Sequence, residues 1–285
     1  MEWSRCLWIP LRMLLVLWCT TQLGCSSIGR SHIYSPFGDE SPSPQQSLWS
    51  RLMQRSPHAP LAVLPGPQLE MNTEVRRELA FLLKGRASFV QQALERRMQF
   101  EPVLYEIFRD QGLHPDLLNV ALIESGFKLT AKSSAGASGP WQFMSQTARM
   151  YGLRVERGID QRQDLVLSTL AAARHLRDLY AQFRDWNLVL AAYNAGPSAV
   201  ERAMRKVKSN NFWTLARQRT LRDQTARYVP RFIAACLIVR RAEALSKEHE
   251  TPPFEVVRNL SMEDFHVASL QGSENWTGAR YPSVG

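Results

Sequence analysis

The chain has 285 residues, 45% hydrophobic and 21% charged, enough for one ordinary globular domain with a real core and too apolar for a chain disordered throughout. Lysine plus arginine exceed aspartate plus glutamate by 35 to 26, a formal net charge of +9, so the expected attraction is to a polyanion: nucleic acid, anionic lipid or an acidic polymer. The cysteines, Cys6, Cys19, Cys25 and Cys236, and the scattered histidines show no zinc-type spacing and no disulfide framework, and no metal is expected.

Arg5 and Arg12 precede and interrupt a short apolar run, Met13-Leu14-Leu15-Val16-Leu17-Trp18, which small and polar residues follow. This pattern reads as a secretory signal, and the run falls short of the about 20 apolar residues that a membrane-crossing helix needs. Leu23-Gly24-Cys25-Ser26 resembles the bacterial lipoprotein signal, in which a cysteine after a small residue is lipidated and becomes the mature N-terminus; Gln22 stands where that pattern usually has an aliphatic residue. On this reading residues 1–25 are the signal and Cys25 carries a lipid anchor to a membrane. The alternatives are plain secretion with Cys25 as a free thiol, or a Cys25 removed with the signal. Residues 26–72, with Ser41-Pro42-Ser43-Pro44, Pro57, Pro60, Pro65 and Pro67, read as a Ser/Pro-rich flexible linker.

Helical spacing dominates from Thr73 onward, while two-residue alternation and Asn-Gly or Asp-Gly turns are absent, so the fold is expected to be all-α. Thr73 is placed to cap a helix through about Lys84, with Val75, Leu79, Leu82 and Leu83 on its apolar side and Gly85 as its stop. A second helix runs through about Phe108. His114-Pro115-Asp116 opens a third, since proline suits the first helical position and an acid suits the N-terminal dipole. Further helices are expected over about Gln146–Tyr151 after Ser145, between Asp164 and Phe183, from Asp185-Trp186 through Tyr193, and over about Gln224–Leu245. Cys236, in the run Phe232-Ile233-Ala234-Ala235-Cys236-Leu237, reads as an inert core thiol.

The third helix carries the most informative residue. Leu117, Val120 and Ala121 precede Glu124 by seven, four and three positions and share its face, so the carboxylate ends an apolar helix just before Ser125-Gly126. Two readings follow from the pattern alone. Either Glu124 is partly desolvated, with the raised pKa that a general acid at neutral pH requires, or it reaches solvent from the last helical turn. Beyond it, Ser133-Ser134-Ala135-Gly136-Ala137-Ser138-Gly139-Pro140 is a small-residue loop of the kind that lets backbone approach a ligand closely, leading into Trp141-Gln142-Phe143-Met144.

Glu124-Ser125-Gly126-Phe127, the stretch from Ser134 to Met144, Ala191-Ala192-Tyr193-Asn194-Ala195-Gly196 and Thr225-Ala226-Arg227-Tyr228-Val229-Pro230 stand in a recognisable order. Together they resemble the bacterial lytic transglycosylases with a goose-type-lysozyme-like (SLT) catalytic domain, nearest to the membrane-bound D-type members, over residues 73–245. The resemblance implies a lysozyme-like helical domain with a catalytic cleft. It also implies cleavage of peptidoglycan glycan strands at the bond between N-acetylmuramic acid and N-acetylglucosamine, leaving 1,6-anhydro ends, with Glu124 as the single acid/base and no cofactor. Carried over by position, Ser133 orients the acid, Gln142 and Met144 line the sugar cleft, Tyr193 and Asn194 lie in it at a helix end, and Tyr228 stands close to the acid.

Structural alternatives remain for several of these residues: a loop-capping hydroxyl for Ser133, a helix C-cap for Asn194, core packing for Tyr228. Trp141 and Phe143 are expected in the core. Asp160 and Asp164 are assigned no chemistry and are expected to cap the next helix or pair with Arg162 or Arg174. Residues 246–285 read as a polar C-terminal tail without the small glycan-binding repeats that the D-type members carry. The functional alternatives are a hydrolytic lysozyme of the same fold and a catalytically idle peptidoglycan-binding scaffold. Nucleic acid is not an expected partner of an exported protein. Ser26 after the cysteine, in place of the aspartate tied to inner-membrane retention, directs the expectation to the periplasmic side of an outer membrane.

Overall fold

The computed structural model describes residues 61–265. The signal, Cys25 with its lipid anchor, the linker as far as residue 60 and the tail beyond residue 265 lie outside the described residues. Asn72, one residue before the expected cap, opens α1 (Thr73–Ala80) by accepting from the backbone N of Val75 at 2.8 Å. A π turn, Phe81–Gly85, carries the chain from α1 into α2 (Ala87–Asp110). A 3-10 turn, Pro115–Leu118, with His114 as its cap, leads into the short α3 (Asn119–Ser125). After a long loop come α4 (Ser145–Met150), a two-stranded hairpin of β1 (Val155–Glu156) and β2 (Ile159–Asp160), and α5 (Leu165–Phe183). Then follow α6 (Trp186–Ala195), α7 (Pro197–Val207), α8 (Phe212–Arg217), α9 (Asp223–His249) and the single turn α10 (Pro253–Val256).

The described part is helical apart from its loops and that small antiparallel hairpin, as the periodicity predicts. Asp164 and Asp185 cap α5 and α6 by accepting from the backbone N of Leu167 and Leu188, so both acids serve local structure.

The 27-residue α9 is the hub, packing against α1, α3, α6 and α10. Its middle, from Tyr228 to Val239, is apolar all round except for Arg231, and Phe232, Ile233, Ala234, Ala235, Cys236 and Ile238 are buried, as befits a helix surrounded by others. Cys236 lies fully inside, where burial pushes its thiol well above the ordinary range, matching the inert reading. Ion pairs with one buried partner each tie α9 to its neighbours. Glu78 of α1, only 2% exposed, accepts from Arg227 and Arg231 at 2.7 and 2.8 Å. Arg97 of α2 reaches Glu243, Glu101 and Asn119.

Two segments depart from the sequence reading. The last twelve residues of the expected linker, 61–72, form a strap on the domain: Leu64 N donates to Gly112 O at 2.9 Å, and Pro65 O accepts from Trp186 Nε1 at 2.6 Å. Gly66 fits because it is glycine, since a Cβ there would lie 2.7 Å from the His114 ring. The expected polar tail folds back as well. Residues 246–249 complete α9, and Val257 and Phe265 are buried in the core through residue 265. Neither segment shows a helical period in sequence; what orders them is apolar side chains and carbonyls finding partners on distant elements.

Candidate active site

Glu124 occupies the penultimate position of α3, where the helix stops abruptly. Gly126 caps it in the left-handed region at φ 61°, and Phe127 follows at φ 60°, so the chain reverses in two residues. Phe127 is an uncommon occupant of that region, at a cost of about 1–3 kcal/mol, and it is held there by complete burial. Arg96 Nε donates to Gly126 O at 2.7 Å, placing a cation at the carbonyl end of α3. Ser125 Oγ donates to Pro140 O at 2.8 Å and fastens the end of the helix to the small-residue loop.

That loop has a framework of its own. Ser138 bridges both Lys132 and Phe143. Arg162, buried, donates from Nη1 to Gly136 O and Phe143 O at 2.8 and 3.0 Å, while Nε and Nη2 pair with Asp160, whose carboxyl is thereby held below the usual carboxylate range. Trp141 stacks on Phe108 and donates to Thr169 Oγ1 at 2.9 Å, and Phe143 is also buried, so both are core aromatics. Gln142, between them, adopts φ 50° and uses its amide nitrogen on Gly139 O and Ala131 O, which leaves its Oε1 without a partner among the described residues. Met144 follows with 47% of its surface exposed, an apolar side chain offered at the rim of the loop.

Three of the residues singled out in sequence converge. Tyr228 Oη donates to Glu124 Oε1 at 2.7 Å. Tyr193 Oη donates to Trp141 O at 2.9 Å, and the Glu124 charge is among the causes, after burial, that raise the phenols of Tyr193 and Tyr228 well above their usual range. Asn194 is not the C-cap of α6, which is Gly196; its Oδ1 accepts from Thr225 Oγ1 at 2.9 Å, one turn of α9 before Tyr228. No hydrogen bond joins Ser133 to Glu124 among the described residues. Ser133 is exposed, and its Oγ accepts from Ala137 N at 3.0 Å within its own loop.

Glu124 therefore has a distinctive environment. Its side chain keeps partial access to solvent, and the protein crowded round it raises its pKa to about 7, with the Tyr228 hydroxyl pulling the other way. No second carboxylate acts on it among the described residues, and its Oε2 has no protein partner there. Such a group exchanges protons near neutrality, as a general acid/base must. Replacing Tyr228 by Phe removes the hydrogen bond that favours the ionised form, so Glu124 should titrate about one pH unit higher in Tyr228→Phe. Carbon-detected NMR titration of labelled glutamate checks this, and an unmoved or lowered midpoint would contradict the pairing.

His175 was not singled out in sequence. It lies among Phe143, Tyr151 and Tyr193, its Nδ1 is 3.0 Å from Tyr151 Oη, and burial pushes it down to about 4, so it stands as a neutral, packed imidazole behind the site. Its position on α5 among apolar residues is the signal of a core histidine. Among the described residues no cluster of three or more His, Cys, Asp or Glu is arranged to hold a metal ion.

Residues 108–216 match the family described as Transglycosylase SLT domain. The chain is 31% identical over 195 residues to the membrane-bound lytic murein transglycosylase D of Escherichia coli, an alignment that covers 61% of this chain and 42% of that protein. It is 44% identical over 88 residues to a peptidoglycan transglycosylase of Escherichia phage T7, covering 30% of this chain and 7% of that one. The chain thus spans less than half the length of either relative. Among solved structures, an inactive variant of the lytic transglycosylase Slt from Pseudomonas aeruginosa is similar at a TM-score of 0.42 and 24% identity, covering 54% of this chain and 25% of that chain. Glu124, the small-residue loop and Tyr193 all fall within the segment that matches the Transglycosylase SLT domain, in a chain similar over 195 residues to membrane-bound lytic murein transglycosylase D.

Proposed function

We propose that this protein is a lytic transglycosylase of peptidoglycan and that Glu124 is its single acid/base. The observation that carries the reading is one carboxyl group with a pKa of about 7, hydrogen-bonded to Tyr228 and without a carboxylate partner among the described residues. In its protonated form Glu124 gives its proton to the glycosidic oxygen as the bond from the muramyl anomeric carbon breaks, and N-acetylglucosamine leaves with a hydroxyl. The resulting carboxylate takes the proton of the muramyl 6-hydroxyl, whose oxygen bonds to the anomeric carbon and closes the 1,6-anhydro ring. Atoms balance without water, and Glu124 ends protonated as it began. The usual pair of glycosidase carboxylates is dispensable because the substrate supplies its own nucleophile. Gln142 Oε1, Met144, Tyr193 and Asn194 are assigned to the sugar.

The homologue's description as membrane-bound, with Leu23-Gly24-Cys25-Ser26, supports an exported, periplasmic protein tethered through lipid on Cys25, at the outer membrane by the identity of Ser26. No helix among the described residues is long and apolar enough to cross a membrane. The test is mass spectrometry of purified murein digested with the full chain. Products ending in 1,6-anhydro-muramic acid are expected. Reducing muramic ends alone would make the protein a hydrolytic lysozyme, and undigested murein would make it a binding scaffold.

A further inference from the structure

One segment of the chain is strongly basic with little acid to offset it. Residues 197–222 hold Arg202, Arg205, Lys206, Lys208, Arg217, Arg219 and Arg222 against Glu201 as the only acid. Between α7 and the start of α9, three of these residues border a concavity of about 330 Å³. Arg202 and Lys206, one turn apart on α7, line it from one side, and Arg222, at the N-terminal edge of α9, lines it from another. None of the three has an ion pair or a hydrogen-bonding side chain among the described residues, whereas Arg205, on the same helix but outside the concavity, faces Glu201 at 3.9 Å. Like charges gathered one helical turn apart repel and destabilise a fold, and an anion held between them reverses the sign. Thr220, Gln224 and Asn194 add polar groups to the same wall.

The concavity also adjoins the acid. Gln224 and Thr225 precede Tyr228 by four and three positions and lie on its face of α9, and Asn194 follows Tyr193. Gln224 and Thr225 in the pocket wall thus stand about one helical turn before Tyr228 along α9, and Arg222 stands six residues, about 9 Å of helical rise, before it. A branch of a ligand held at the acid is therefore within reach of this wall.

Building on the reading of this protein as a murein-cleaving enzyme, we infer that this pocket binds a free carboxylate of the stem peptide carried by the glycan strand. Arg202, Lys206 and Arg222 then select strands whose stems keep that carboxylate, and the local charge acts as a specificity determinant rather than a diffuse attraction to the wall.

The experiment is calorimetric titration of the full chain with a muramyl peptide bearing free carboxylates and with the same compound amidated. The free acid is expected to bind at least about tenfold more tightly, the difference that one or two charge-assisted contacts supply. Arg202→Gln/Lys206→Gln/Arg222→Gln should erase that preference. The control Arg205→Gln/Lys208→Gln/Arg217→Gln removes the same charge outside the pocket and should keep it. Equal affinity of wild type for the two compounds, equal loss of preference in both triple variants, or displacement of the free acid by inorganic phosphate at comparable concentration would each overturn the inference. Murein digestion is scored separately: selective binding without cleavage would sink the enzymatic reading and leave the pocket standing.

Discussion

Glu124→Gln is expected to lower the rate of murein cleavage by about 10²–10⁴-fold while making the protein more stable at alkaline pH. Both effects have one cause. The folded protein holds this carboxyl at about 7 against an ordinary 4.5, so below pH 4.5 it is neutral in folded and unfolded chains alike and contributes no difference. Between those values the unfolded chain releases the proton and the folded one retains it, and stability falls as pH rises. Above pH 7 the folded protein carries a desolvated charge at a full cost of at most about 3 kcal/mol, reduced by the solvent that reaches the side chain. Glutamine is never charged and can still accept from Tyr228. Melting curves should therefore coincide at pH 4 and separate by several degrees at pH 8 with Glu124→Gln the higher. A variant that melts below wild type at pH 8 would mean that the carboxylate is a structural anchor instead.

The largest structural effect is expected at Gly139. Its φ is +83°, and a Cβ there would lie 1.7 Å from the backbone O of Arg162, which cannot swing aside as a flexible side chain would. Gly139→Ala must push the loop away from the segment that Arg162 anchors, disturbing Ser125–Pro140 and the backbone that presents Gln142. Strain and displacement together should cost about 3–5 kcal/mol. Gly136 is the comparison, since it shares a positive φ of +88° with nothing within 4 Å of its Cβ position. Gly136→Ala should lose only about 1 kcal/mol. Chemical denaturation of the two variants measures the difference, and similar midpoints would show that the Gly139 contact relaxes freely.

These effects trace how far the sequence carried. Helices with a long apolar stripe were legible: Val75 to Leu83, Leu165 to Phe183 and the α9 run around Phe232 all lie where their spacing predicts. The Pro197–Val207 helix was not picked out, although Gly196-Pro197 marks its start and Val200 and Ala203 recur at helical spacing, because its other face is crowded with charge. The hairpin, with two residues in each strand, is too short to have a period at all. At the site, the apolar face of α3 led to Glu124 because desolvation is written in its neighbours at three, four and seven positions. The pairing with Tyr228 bridges 104 residues, and only likeness to a family suggested it in advance. Ser133 Oγ accepts from Ala137 N within its own loop, a local turn that the spacing from Glu124 does not reveal.

The strap over residues 61–72 also determines how the domain answers to force. Pro65 and Gly66 touch Trp186 and His114, the residues at which α6 and the approach to α3 begin, whereas Tyr193 and Glu124 stand near the far ends of the same two segments. At about 1.5 Å per residue the two ends are roughly 10–15 Å apart. Traction applied upstream of Leu61 is thus delivered to the end of the fold away from the acid. In chain order the contacts Leu64–Gly112 and Pro65–Trp186 stand between such a pull and the groups round Glu124.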